Sequence, residues 1–122
     1  MGLHFRYRLW IAEMNHEINM LRIFDDYIAE ISAKNNEATV VKVIANFNKQ
    51  FVELRKEIDD LRHEMHLAKM TLAAASREGS IVKTKDLSYK NHVALRKRYL
   101  SYRKSFDKIK KDFVQFEGLG QP

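Results

Sequence analysis

From Val40 to Ala75, apolar residues stand at Val40, Ile44, Phe47, Phe51, Leu54, Ile58, Leu61, Met65, Ala68, Leu72 and Ala75, stepping alternately by four and three. That spacing is the seam of a helix packed lengthwise on other helices, and the residues off the seam are mostly charged or amide side chains. A seam this long needs partners along its whole length. The expected fold class is therefore all-α: an elongated up-down-up three-helix bundle with coiled-coil-like heptad packing, one domain over residues 1–122.

The flanking segments supply the two partners. Near the start, Leu3, Phe5, Tyr7 and Leu9 alternate with His4, Arg6 and Arg8, which read alone fits a strand. Leu3, Tyr7, Trp10 and Met14 also step by four, three and four, and no partner strand exists elsewhere, so a helix from about residue 4 to 33 is expected. Its seam continues through Ile11, Ile18, Leu21 and Ile28, and Asp25 is the one acidic residue to fall on it. Ala33-Lys34-Asn35-Asn36 reads as a turn, with Asn35 or Asn36 capping a second helix over 37–76. Glu78-Gly79-Ser80 is expected to stop that helix, Gly79 taking a left-handed conformation. Ile81 to Lys85 reads as a connection, with Thr84 or Asp86 as the cap of a third helix over 85–117. The third seam is His92, Leu95, Tyr99, Tyr102, Phe106, Ile109, Phe113 and Phe116, with Gly118 as C-cap. On these limits the second helix outlasts both neighbours, and short connections make neighbours antiparallel.

Composition removes several classes of function. Without cysteine there is no disulfide framework, thiolate metal site or cysteine nucleophile, and the single proline is the last residue. No apolar run approaches the ~18 residues of a membrane span. His4, Arg6 and Arg8 break any signal-peptide h-region in Met1–Trp10, and Arg6 stands where a myristoylation motif wants Ser or Thr. A cytoplasmic protein is the expectation.

Candidate chemistry is sparse. Glu13-x-x-His16 has the spacing of di-iron helical bundles and Asp60-x-x-His63 resembles it, but both fall off the seams and are expected to face solvent. His63-Glu64-x-His66 lacks the paired-histidine spacing of a zinc protease. His92 reads as a satisfied structural histidine near a bundle end. No glycine-rich phosphate loop or nucleophile elbow is present. No enzyme, catalytic residue, metal, cofactor or small-molecule substrate is expected.

Two features point to partners. The net charge of +6 is uneven: residues 1–82 balance at −1, residues 83–111 at +9. In the latter, Arg96-Lys97, Arg103-Lys104 and Lys110-Lys111 recur every seven residues, with Lys90 one heptad before Lys97. Stacked ~10.5 Å apart, they form a basic stripe suited to nucleic-acid phosphates or another anionic surface, unless glutamates such as Glu17 and Glu64 pair with parts of it. The second feature is surplus apolar surface near the ends of helix 2, at Val40, Val41, Val43, Met70, Ala73 and Ala74, which suits self-association or a helical partner. The leading expectation is a non-enzymatic interaction or scaffold module, self-associating through helix 2. The alternative is a nucleic-acid or anionic-surface binding protein using the stripe, a membrane surface being the weakest form of that idea.

Overall fold

The computed structural model describes residues 2–78 and 81–120, with side chains described over 2–74 and 90–116. It consists of three α-helices, α1 (Leu3–Lys34), α2 (Ala38–Glu78) and α3 (Ile81–Gly120), with no strand among the described residues. The helical reading of the N-terminal segment therefore holds, and Tyr7 and Ile11 on its seam are buried.

Asn35 ends α1 in an extended conformation (φ −145°, ψ 119°). Its Oδ1 then accepts the Glu37 N–H at 3.1 Å, and the Glu37 carbonyl accepts the Val41 N–H at 2.9 Å to open α2. Asn35 thus ends α1 and braces the turn, because its short amide side chain competes for local backbone groups, but Glu37 and not an asparagine holds the position just before α2.

The other limits need correction. Residues 81–85 are the first turn of α3 and not a connection, so neither Thr84 nor Asp86 is its cap. No glycine or proline lies between Ser80 and Glu117, so nothing there halts helix propagation. At the far end α3 continues through Gly118 to Gly120, which glycine permits at a cost of ~1 kcal/mol relative to alanine. The expected turn at Gly79-Ser80 and the tail at Gln121-Pro122 lie outside the described residues. With 41 residues in α2 and 40 in α3, helix 2 is not appreciably longer than helix 3.

One hydrophobic core joins the three helices, and the seams supply it. Phe51, Ile58, Leu61 and Met65 of α2 are fully buried, as are Met14 and Leu21 of α1. At one end Phe113 meets Phe24, Phe47 and Phe51 at ring-centroid distances of 5.0, 5.2 and 5.4 Å. At the other, Trp10 stacks on Tyr99 at 5.0 Å and on His92 at 6.0 Å. Between α1 and α2, Asp25 pairs with Arg55 and Asn15 accepts from Arg62 at 2.7 Å. Between α2 and α3, Glu64 pairs with Arg98 and Phe47 meets Phe113. Asp25 on the seam of α1 thus has its explanation: a cation reaching across from α2.

The backbones of α1 and α3 approach each other far less than either approaches α2. Long side chains cross the interval between them: Trp10, Phe24 and Tyr27 from one side, Tyr99, Arg103 and Phe113 from the other.

Candidate functional site

The basic doublets of α3 fall on two lines of the helix. Seven-residue spacing brings the first members, Arg96, Arg103 and Lys110, onto one line and the second members onto another, about 100° away. The first line turns toward α1. Arg103 donates to Glu13 at 2.6 Å, lies 3.9 Å from the Glu17 carboxylate and donates to the Tyr99 hydroxyl at 3.0 Å. Lys110 borders the space between the two helices, with Leu9, Glu13 and Met20 of α1 opposite. The second line, Lys90, Lys97, Lys104 and Lys111, is exposed. No ion pair joins these four lysines to an acidic side chain among the described residues.

Arg103 sits in a polar layer that the heptad register alone does not reveal. Glu17 is buried, 6% exposed, and accepts from the Tyr102 hydroxyl at 3.1 Å. Glu13 accepts from the Tyr99 hydroxyl as well as from Arg103. Glu13 therefore reaches across to α3 where a solvent-facing carboxylate was expected. Burial raises the Glu17 pKa above its usual range, although the Tyr102 hydrogen bond and the Arg103 charge both favour the carboxylate. Burial likewise pushes both tyrosines up, helped by their acidic acceptors. A layer of this kind ties α1 and α3 in register, since each group would be left unpaired by a shift of one turn.

The expected pairing of glutamates with helix 3 is thus present: Glu17 with Tyr102 and Arg103, Glu64 with Arg98, which also lies 3.5 Å from Glu57. His92 departs from expectation. It is 7% exposed, and its Nδ1 has no hydrogen-bond partner among the described residues. Burial, with Arg6 and Arg96 nearby, lowers its pKa below 6.5. Ring stacking on Trp10 and an edge contact with Tyr7 hold it in place of a hydrogen bond.

His16, Asp60 and His63 are exposed, and no group of three His, Asp or Glu side chains among the described residues could hold a metal ion. No described helix is long and apolar enough to cross a membrane. No protein-family model, curated protein or solved structure matches this chain.

On α2 the six residues expected to self-associate divide. Val40 packs against the core and Ala74 is half-buried, whereas Val41, Val43, Met70 and Ala73 are exposed. Exposed apolar residues that the sequence reading passed over stand on the other two helices: Phe5, Leu9 and Ile23 on α1, Val93, Leu100 and Val114 on α3. Their signal was present beside the main seams, Leu9 following Phe5 by four residues, Leu100 following Val93 by seven, and Ile23 and Val114 each coming fourteen later. It is hidden because the buried seam satisfies the amphipathic pattern by itself.

Proposed function

We propose that the chain is a non-enzymatic interaction or scaffold module of the cytoplasm, an up-down-up heptad bundle that self-associates or docks a helical partner. The observation that carries this reading is apolar surface left over outside a complete core: on α2 alone, Val41, Leu67 and Met70 are 50%, 50% and 65% exposed. A helix needs no such residues once its seam is buried, and apolar residues along a helix face are how a further helix is recruited. The bundle topology accounts for the contacts between helices. Asn15 meets Arg62 and Asp25 meets Arg55, so residue numbers fall on α2 as they rise on α1. Glu64 with Arg98 and Phe47 with Phe113 repeat that sense between α2 and α3.

Sedimentation equilibrium tests the self-association. The wild-type chain is expected at a multiple of the monomer mass, and Val41→Ser with Met70→Ser at the monomer mass with unchanged helicity. A wild-type monomer at high micromolar concentration refutes self-association through α2.

A second reading rests on the exposed lysine line. If it binds polyanions, affinity falls steeply with salt, because each neutralised phosphate releases counterion. Lys97→Glu, Lys104→Glu and Lys111→Glu together then abolish binding of an oligonucleotide, while reversal of Lys42, Lys49 and Lys56 on α2 does little. Equal losses from the two triples refute a site on α3.

A further inference from the structure

The outward face of α3 carries two lines of residues at heptad spacing, all of them exposed. Lys90, Lys97, Lys104 and Lys111 form one. Val93, Leu100, Asp107 and Val114 form the other, each three residues after a lysine, so the lines run side by side ~40–60° apart. Heptad lines drift only ~20° per repeat on a straight helix, and both therefore stay on one side of α3. From Lys90 to Val114 the face extends for ~36 Å. Val93, Leu100 and Val114 are 38%, 47% and 53% exposed. A single exposed apolar residue is ordinary, but three of four positions on one line, each beside a lysine, make a pattern.

The charge on this face is unopposed. None of the ion pairs among the described residues engages the four lysines, and Asp107 is the one acid on either line. The lysines of α2 differ in this respect. From Lys42 to Asp60, Lys42, Lys49, Arg55 and Lys56 are matched by Glu53, Glu57, Asp59 and Asp60.

Three anionic partners can be told apart by what the apolar line would do. A nucleic acid meets lysines with its phosphates and stacks bases on aromatic rings, but neither line carries an aromatic residue, and Tyr99, Tyr102, Phe106 and Phe113 are buried. A protein partner is a poor match because lysine is depleted from protein interfaces. At a bilayer surface both lines are used. Lysine stems lie along the neighbouring apolar side chains while their ammonium groups reach the headgroup phosphates, and the aliphatic residues enter the acyl boundary. No described helix is long and apolar enough to cross a membrane, so the contact is with its surface.

We infer that α3 docks the chain on an anionic lipid bilayer, with Lys97, Lys104 and Lys111 at the headgroup phosphates and Val93, Leu100 and Val114 at the acyl boundary. The inference rests on the polyanion reading of the lysine line and names the source of the anion. From the sequence, a membrane surface is the weakest of the anionic partners; the exposed apolar line reverses that order.

The test is co-sedimentation of the intact chain with phosphatidylcholine vesicles, with and without about a third of phosphatidylserine, beside titration with a single-stranded oligonucleotide. Anionic vesicles are expected to bind, neutral ones about tenfold or more weaker, and added salt to weaken the binding. Lys97→Glu, Lys104→Glu and Lys111→Glu together should lower vesicle affinity about a hundredfold, and reversal of Lys42, Lys49 and Lys56 should do little. Val93→Ser with Leu100→Ser should lower it about tenfold. All of these residues are exposed, and circular dichroism checks that the variants keep their helicity. The chain has no cysteine, so Leu100→Cys and Val52→Cys each accept one environment-sensitive fluorophore. Its emission should shift to the blue on anionic vesicles at Leu100 and stay unchanged at Val52.

Equal binding to neutral and anionic vesicles, no binding to anionic ones at low salt, or a blue shift at Val52 and not at Leu100 each overturn the inference. So does vesicle binding that is lost with the lysines but unchanged by Val93→Ser with Leu100→Ser, since the apolar line then has no part in it. If vesicles fail while the oligonucleotide binds through Lys97, Lys104 and Lys111, the lipid assignment falls and the polyanion reading stands. If neither binds, both fall.

Discussion

Phe113 is where the three helices depend on one another most, and Phe113→Ala measures that dependence. The ring is 3% exposed and meets Phe24 and Tyr27 of α1, Phe47 and Phe51 of α2 and Phe116 of its own helix. Truncating a buried phenylalanine costs ~3–5 kcal/mol from lost transfer energy and the cavity left behind. Five rings surround the hole, and rigid rings refill a cavity poorly, so the upper half of that range is expected. Unfolding entropy of ~2.1 cal/mol/K per residue gives a chain of this length about 0.26 kcal/mol/K, so the loss should lower Tm by about 15 °C or more. Urea denaturation followed by circular dichroism at 222 nm reads the change directly, as a shift in midpoint with the slope preserved. Val114→Ala, one residue on and 53% exposed, is the control and should stay within ~0.5 kcal/mol. A loss below about 1 kcal/mol at Phe113 would refute the aromatic cluster as the joint between the helices.

Ile58→Ala removes a fully buried side chain at the centre of α2 and should cost ~2–5 kcal/mol in the same assay. Tyr102→Phe deprives the buried Glu17 of its 3.1 Å donor and should cost ~1–3 kcal/mol, with Glu17→Gln restoring part of it. Because burial raises the Glu17 pKa above 4.5, the folded chain holds a proton there that the unfolded chain releases; stability therefore falls as pH rises from 4.5 to the folded value, and Glu17→Gln should remove that slope. His92 acts in the opposite sense. Its folded pKa is depressed, so the unfolded chain binds a proton more readily as pH drops below 6.5, and stability is lost on acidification through that window. Denaturation series at closely spaced pH values should show this loss in the wild type and its absence in His92→Phe; identical profiles would mean that His92 is not held neutral by its surroundings.

Periodicity made much of this fold legible before any coordinates. The seam of α2 needs only the helical repeat, a property of each segment alone, and the buried residues from Ile44 to Met65 are the ones the four-three spacing picks out. The turn at Asn35 was legible for the same reason, since the group it bonds is two residues away. The limits of α3 were misread because a glycine signals an end only when the chain takes its left-handed option, and Gly118 does not. Partnerships across helices had no local signature. Asp25 finds Arg55, 30 residues away, and Glu13 finds Arg103, 90 residues away, only once the helices have a relative register and distance. The same is true of the doublets of α3: the sequence determined that they stack, but the position of α1 decided that Arg103 is bound while Lys104 has no ion pair among the described residues. Least legible was the wider backbone spacing between α1 and α3. The three seams specify which residues are buried, but not how far apart the backbones that carry them stand. Trp10 with Tyr99 and Phe24 with Phe113 fill the interval between the two helices, and side-chain volume summed across an interface is not a quantity that periodicity carries.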